Sequence, residues 1–408
     1  MRWLLETIWQ PSERRLPKPG ARPRIFVVNQ TVNSPFCAWL ETLAREHGTV
    51  ALLSGNAPAG LDPGLSVHRG PAYDRSSVRS RLWTWVRFAA WATWLLLWSD
   101  KGTPVFVVTN PPLMPLAAWL LHAVRGRRFG LLEWDIYPQV LEATGLLGSR
   151  NVIVRWWMSL HGRALRSAEL VITIGERMAA VLRATAEVPE LEIAVVPNWV
   201  DTDRIQPLDQ EDNDFVRAQG LHEGLVVLYS GNLGATHAIE TIVRVAEELA
   251  TVQEILFLVV GEGAKREIVE EAIAAGRVPN LRLLHRQPAA SFPEMLASAQ
   301  VGIVTLADGY EDLSMPSKTY DLMSAGAAIL GISKPPNDLA MTIERHRCGV
   351  NFSPASVSAI AEWLREMAAN ADGLDRLRRA SRQAAVEHYS KAAIPLRLTE
   401  LVRERLLS

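Results

Sequence analysis

Cysteine is nearly missing from this 408-residue chain: only Cys37 and Cys348 occur, far apart in sequence. That excludes a disulfide framework and a cysteine-based zinc cluster, and a reducing compartment is the plain expectation. Net charge is nearly missing too, at −1 from 43 Lys+Arg and 44 Asp+Glu. The chain as a whole therefore asks for no polyanionic partner. It also lacks a basic, aromatic strand platform, which argues against nucleic acid. A long uninterrupted apolar run is absent. Leu82–Trp98 is the nearest approach, at 17 residues interrupted by Arg87, against the roughly 20 that a spanning helix needs. Gly102–Val124 is uncharged, but Pro104, Pro111, Pro112 and Pro115 divide it into strand, turn and helix. Met1–Gln10 is amphipathic, and its short apolar stretch, broken by Glu6, does not make a secretory signal.

What is present is an ordered globular composition, 48% apolar and 21% charged, at a length that suits two or three domains. It is divided unevenly. Residues 1–200 hold 22 Lys+Arg against 15 Asp+Glu, while the rest hold 21 against 29, and 13 of the 14 tryptophans precede residue 200. Between residues 75 and 128 the cations Arg75, Arg79, Arg81, Arg87, Lys101, Arg125, Arg127 and Arg128 face only Asp100. Tryptophan favours the bilayer interface, where its ring is apolar and its N–H stays wet, and cations favour anionic headgroups. Arg79, Arg81, Trp83, Arg87, Trp91, Trp94 and Trp98 are therefore expected to face a membrane surface. The alternatives are a buried core helix with solvated arginines, and a true span.

Hydrophobic patterning gives two successive βα arrays. In the first, strands are expected at Arg24–Asn29, Thr49–Ser54, Val105–Thr109, Phe129–Glu133, Leu170–Ile174 and Ile193–Val196. A Gly/Pro loop is expected over residues 55–72, and helices over 35–47, 82–98, 113–124, 151–166 and 176–185. The second array begins with the strand Leu225–Ser230, runs through Ile255–Gly261, Leu281–Leu284 and Val301–Leu306 to Ala328–Gly331, and closes with helices. Such alternation predicts an α/β chain with two doubly wound parallel sheets, whose ligands bind beyond the carboxyl ends of the strands.

Three segments in the second array sit at such places. Gly231-Asn232-Leu233-Gly234 follows a strand and precedes a helix, where close backbone approach and free N–H groups suit a phosphate. A tight turn is the plain alternative. Gly261-Glu262-Gly263-Ala264-Lys265 repeats the pattern one unit later; Lys265 could neutralise a diphosphate or be a solvated helix-start lysine. In Pro316–Gly326 (PSKTYDLMSAG), Ser317 reads as an N-cap, and Lys318 and Asp321 share a helix face. An acid there can accept both hydroxyls of a ribose, and a lysine beside it can meet a phosphate; a surface ion pair is the alternative. In the first array Asn29, Gln30 and Asn33, within Asn29–Asn33 (NQTVN), could bind sugar hydroxyls or phosphate, or build Asx turns.

Asp135-Ile136-Tyr137-Pro138, Val196–Val200 (VPNWV) with Asp201, Val227–Gly234 (VLYSGNLG), and Pro316–Gly326 with Ala328-Ile329 stand in this order at strand ends. With them the chain, over roughly residues 24–390, resembles the bacterial glycosyltransferases of family 4. The nearest look is the branch that builds exopolysaccharide and O-antigen repeat units. The resemblance implies a GT-B fold, two Rossmann-like doubly wound parallel-sheet domains facing a central cleft. It implies an acceptor domain over 1–205, a nucleotide-sugar domain over 206–390, and a last helix (391–408) returning to the first. It further implies retention of anomeric configuration, no essential metal and no cofactor beyond a UDP- or GDP-linked sugar. The acceptor would be a lipid-linked saccharide, at the cytoplasmic face of the membrane.

The chain departs from that family's pattern in three places. Where an E-x7-E pair is common, Asp321 stands for the second acid, but Leu313 occupies the place of the first, leaving Glu311 as the nearest candidate. Trp134 stands where many members have His, so Asp135 becomes the candidate catalytic and acceptor-facing polar residue. His237 is the nearest basic residue after the first glycine loop. Glu311 and Lys318 complete the catalytic candidates with Asp135, and leaving-group charge would be met by Lys265, Lys318 and the N–H groups at Gly231–Gly234. Donor contacts are expected at Gly231, Asn232, Leu233, Gly234, His237, Gly261, Gly263, Lys265, Ser317, Lys318 and Asp321. Two readings compete with the transferase: a catalytically weak binding or assembly subunit, and a nucleotide-sugar epimerase.

Overall fold

A computed structural model describes residues 22–408 except 59, 75, 144, 146, 147, 149, 150, 222 and 223; Met1–Gln10 lies outside the described residues. The chain forms two compact units, one running to Val196 and including Pro395–Ser408, the other Pro197–Ile394. The passage between them is at Val196–Pro197 rather than 205/206, and the return is at Ile394–Pro395 rather than 390/391. The reason is local. Residues past Pro197 bond within the second unit: Val200 N–H donates to the Tyr389 carbonyl (2.9 Å), and Lys391 Nζ pairs with Asp201 (2.8 Å) and Asp203 (2.9 Å).

In the first unit β1 (Ile25–Val28) leads to α1 (Ser34–His47), β2 (Val50–Ser54), β3 (Leu65–Arg69), α2 (Val78–Trp98), β4 (Val105–Val108) and α3 (Met114–Arg125). There follow β5 (Phe129–Glu133), α4 (Gln139–Ala143), α5 (Val152–Ser167), β6 (Leu170–Thr173), α6 (Glu176–Ala186) and β7 (Ala194–Val195). The strands form one parallel sheet in the order β3-β2-β1-β4-β5-β6-β7. β1, β4, β5 and β6 are buried at every position, as strands covered on both faces must be, and that makes them legible as apolar runs. β3 (LSVHR) is an edge strand with only its first residue buried, so its apolar signal is weak and it falls inside the expected loop. α1 starts where Asn33 Oδ1 accepts the Phe36 N–H (3.0 Å). α2 starts at Val78 rather than 82 because Ser77 Oγ accepts the Ser80 N–H (3.0 Å).

Two of the cations expected near lipid are structural. The buried Arg127 guanidinium donates to the carbonyls of Leu96 (3.0 Å), Asp100 (2.8 Å) and Thr103 (3.1 Å) and to Ser99 Oγ (2.9 Å). It thereby satisfies the end of α2, where a cation also suits the helix dipole. Arg128 pairs with Glu169 (2.7 Å). On the opposite sheet face the returning C-terminal segment is anchored by Trp39 Nε1, which donates to Thr399 Oγ1 (3.1 Å). A Cβ on Gly130 of β5 would lie 2.9 Å from Leu406 Cδ1, so only glycine admits that side chain.

The second unit holds α7 (Asp214–Gln219), β8 (Leu225–Ser230), α8 (Ile239–Glu248), β9 (Ile255–Val260), α9 (Arg266–Ala274), β10 (Leu281–Leu284) and α10 (Phe292–Ala297). Then come β11 (Val301–Thr305), α11 (Lys318–Ser324), β12 (Ala328–Ile332), α12 (Asp338–His346), β13 (Gly349–Phe352), α13 (Val357–Ala369) and α14 (Ala371–His388); α15 (Ile394–Val402) belongs mostly to the first unit. Its parallel sheet runs β10-β9-β8-β11-β12-β13. Sequence order therefore reverses between β1 and β4 in one sheet and between β8 and β11 in the other, and binding crevices open at such points.

Leu406 is buried against β5. Leu406→Ala is expected to cost about 2–5 kcal/mol of first-unit stability. Urea unfolding followed by far-UV circular dichroism measures it; an unchanged midpoint would show that the returning segment contributes nothing to the first unit.

Candidate functional site

The switch point of the second unit carries two interlocked glycine loops. Gly231 N–H donates to the Val260 carbonyl (2.9 Å), Leu233 N–H to Glu262 (2.8 Å), and Lys265 N–H to Leu233 (2.8 Å). A Cβ on Gly261 (φ +154°) would lie 1.8 Å from the Gly231 carbonyl oxygen, and one on Gly263 (φ +150°) 2.5 Å from the Leu233 carbonyl. Neither position admits a side chain. Leu233 itself is buried, so only its backbone faces the loop surface.

Lys318, the first residue of α11, reaches into this double loop. Its Nζ stands 4.1 Å above the Tyr229 ring, and a Cβ on Gly231 would lie 2.7 Å from it. The residue is partly exposed through its stem, but Nζ is sealed and makes no hydrogen bond. Burial pulls the ammonium down from 10.5 to about 7, because a charge leaving water without a partner loses its hydration. The Tyr229 face returns only part of that as a cation–π contact. Tyr229 is fixed in turn by donating its hydroxyl to the Asn232 carbonyl (2.7 Å).

The neighbouring cation is different. Lys265 Nζ donates to the His237 carbonyl (2.7 Å) and pairs with Glu240 (2.9 Å), so its charge is already met. His237 donates Nδ1–H to the Thr305 carbonyl (2.8 Å). Burial, reinforced by Lys318, lowers its imidazole to about 4. It is a neutral ring at pH 7 and supplies no positive charge to an anion. Ser317 stands at the helix start but in helical conformation (φ −62°, ψ −27°), and its side chain makes no cap bond, contrary to expectation. Asp321 follows one turn after Lys318; burial raises its carboxyl from 3.8 to about 7, and Arg204 opposes the rise.

α11 is held in place from behind. Ser324 Oγ donates to the Ile205 carbonyl (2.7 Å), and Arg382 Nη1 donates to the carbonyls of Ile205 (2.9 Å) and Ser324 (2.8 Å). Sequence reading missed Arg382, one of many arginines on a polar helix. Leu313, where an acid is the family habit, is an apolar side chain packed into the core. Glu311 accepts the Gly309 N–H (2.7 Å) and so closes its own loop.

In the first unit the polar residues at the switch point largely serve one another. Asn29 is buried; its Oδ1 accepts Asn110 Nδ2–H (3.1 Å) and the Thr31 N–H (3.3 Å), while its Nδ2 is buried and unpartnered. Gln30, also buried, donates Nε2 to the carbonyls of Pro71 (3.3 Å) and Thr84 (3.2 Å). Asn33 is the cap of α1. These bonds build the turn and cap that the residue types allow, and they leave Asn29 Nδ2 and Gln30 Oε1 buried without a hydrogen-bond partner. Asp135 is half-buried just past β5. Beneath it lies a pair absent from the sequence reading: Glu133, wholly buried, 3.0 Å from His161 Nε2 on α5. Its only signal was an acid closing an apolar strand.

Comparison with known proteins now adds to this geometry. Residues 37–204 match the model described as Glycosyltransferase Family 4. The probable glycosyltransferase WbjE of Pseudomonas aeruginosa is 26% identical over 359 residues, covering 84% of this chain and 89% of the relative. The chain is thus similar to bacterial glycosyltransferases, and its residues 37–204 carry the family 4 likeness. Among solved structures, HepE of Anabaena in complex with UDP superposes with a TM-score of 0.70 at 12% identity, covering 93% of this chain and 99% of that one. WaaG, a glycosyltransferase involved in lipopolysaccharide biosynthesis, does so with a TM-score of 0.69 at 14% identity, covering 93% and 99%. The chain therefore has the GT-B fold, as its two parallel sheets already suggested.

On α2 the exposed residues include Arg79, Trp83, Trp94 and Trp98. Trp91 does not join them: it packs on Gly70, whose Cβ would lie 2.4 Å from its ring, and on Phe88 (5.4 Å). Arg81 lies over the Trp85 ring (5.4 Å), and the Nε atoms of Arg81 and Arg87 are buried. Among the described residues no helix is long and apolar enough to cross a membrane, so the spanning alternative for α2 falls.

The Lys318 charge is a cost to folding. Folding holds fewer protons on Lys318 than the unfolded chain does between pH 7 and 10.5, so this contribution to stability rises with pH over that window. Lys318→Met should raise Tm, more at pH 6 than at pH 9, with the fold unchanged by circular dichroism. Calorimetric melts at the two pH values decide it; a Tm lowered equally at both would mean that the ammonium stabilises the fold.

Proposed function

We propose that this protein is a retaining glycosyltransferase of family 4 that moves a sugar from a UDP- or GDP-linked donor to a lipid-linked saccharide, in the synthesis of a cell-surface polysaccharide. The observation that carries the reading is the uncompensated Lys318 ammonium beside the glycine loops. An anion placed there gains a full charge interaction without breaking an existing ion pair. A nucleoside diphosphate suits the rest: the N–H groups of Asn232 and Gly234, which the loop's own bonds leave over, for phosphate oxygens, and Asp321 one turn along α11 for ribose hydroxyls. The UDP held by the structural neighbour HepE supports the same donor class.

Chemistry follows from charge. Breaking the bond from the anomeric carbon to the diphosphate leaves negative charge on the departing oxygen and an oxocarbenium-like sugar. Lys318 and the loop amides meet the first, as preorganised donors that need not reorganise during the step. The acceptor hydroxyl adds on the face the diphosphate leaves, which retains configuration, and its proton passes to that departing oxygen. Asp135, at the carboxyl end of β5, is our candidate for the carboxylate that orients the acceptor. In this reading no metal takes part, the work is done at the cytoplasmic face of the membrane, and association with lipid is peripheral, through residues 75–128. The packed Leu313 favours one rival, a binding subunit that holds donor without turning it over.

Two experiments decide. Lys318→Ala should lower transfer by ~10²–10³, whereas Lys265→Gln, which loses an ion pair with a half-exposed partner, should cost under about tenfold. Equal losses would remove Lys318 from its special role. Binding of UDP- and GDP-sugars by calorimetry should weaken as pH rises above 7, where the free site loses its ammonium, and the bound form should take up a proton. A pH-independent affinity from pH 6 to 9 would count against the ammonium as the diphosphate ligand, and tight binding with no turnover would favour the binding subunit.

A further inference from the structure

The membrane reading above rests on α2, but exposure is not confined to it. Right-handed crossovers put α2, α3 and α5 on one face of the first sheet, and α2 packs on α3 and α3 on α5. Of the fourteen large apolar side chains exposed among the described residues, ten stand on these three helices. The helices contain seven arginines and eight tryptophans and not one Asp or Glu. An ordinary solvated face mixes both signs of charge and does not present contiguous large apolar groups.

The exposure is sharpest at the start of α5, where Val152 is 77%, Ile153 62% and Trp156 60% exposed, with exposed Arg155 among them. Asn151 Oδ1 accepts the Ile153 N–H (2.9 Å), so this turn is capped and ordered in spite of what it displays. α2 and α5 both begin at the carboxyl edge of the sheet. Their starts are joined by stacked rings: Tyr137 meets Trp85 of α2 (5.8 Å) and Trp157 of α5 (6.5 Å). Tyr137 is two residues from Asp135.

We propose that the first turn of α5 is a second lipid anchor: Val152, Ile153 and Trp156 enter the interface of an anionic bilayer beside Trp83 of α2. The bilayer is chosen over a protein partner by charge. Interfacial helices pair an apolar edge with arginine and tryptophan, and headgroup phosphates complement an acid-free face. The consequence is orientation. The protein docks by the edge where its strands end, with Asp135 turned toward a saccharide whose lipid stays in the membrane. This inference rests on the peripheral-membrane reading and adds α5 to it.

The test is flotation of the full chain with phosphatidylcholine vesicles, with and without phosphatidylglycerol. The wild type is expected to float with the anionic vesicles and to be released by salt. Ile153→Ser with Trp156→Ser should lower partitioning at least ~10-fold, with Tm and nucleotide-sugar affinity unchanged. Should this double variant float as the wild type does while Trp83→Ser does not, the α5 anchor is overturned and the α2 reading stands. Should the wild type stay soluble with both vesicles, the membrane reading fails and this inference with it. A concentration-dependent dimer in light scattering, abolished by the double variant in a protein that does not float, would make the face an interface between copies and overturn the lipid assignment.

Discussion

A lysine ammonium sealed from water with no hydrogen-bond partner is the constraint on which the second unit turns. Gly231 has no side chain, so Lys318 can lie against it. Tyr229 gives the ammonium a ring face, and its own hydroxyl holds the glycine loop at Asn232. Gly261 and Gly263 let the second loop close on the first. Behind α11, Arg382 and Ser324 tie the helix to the segment at Ile205 and so fix the backbone that carries Lys318. The fold thus holds a positive charge where it is unfavourable alone and favourable only with an anion.

Lys265 and His237 show why the surrounding basic groups do not share that role. One is neutralised by Glu240 and a carbonyl; the other is held neutral by burial while its Nδ1–H is spent on Thr305. In the first unit, polar groups at the equivalent switch point mostly satisfy one another. Asn29, Gln30 and Asn110 build the loop, and Glu133 with His161 closes the end of β5 beneath Asp135. One site concentrates unmet charge; the other supplies a rigid platform at the end of its strands.

Much of the architecture was legible because its strands are buried on both faces. IFVV, VFVV and LVVLYS announce themselves as apolar runs, and glycine loops after them mark the strand ends. β3 and β13 escaped because edge strands are half-exposed and need no such run. The short helices at 139–143 and 214–219 escaped because a single turn carries too little periodicity. Helix starts shifted wherever a serine or asparagine cap stood earlier than the apolar pattern, as at Ser77.

The sequence by itself determined the residue types at the strand ends, the two doubly wound sheets, and the gathering of tryptophan and arginine in the first half. Tertiary structure alone decided which of those residues are free to act. Lys265 and Lys318 look alike as lysines after a turn, and only packing shows that one has a counter-charge and the other has none. Trp91 and Trp94 are three residues apart on one helix, and packing on Gly70 half-covers the first while the second stays exposed. Charge compensation and exposure are properties of what lies across space, and one chain's order of residues does not state who its neighbours will be.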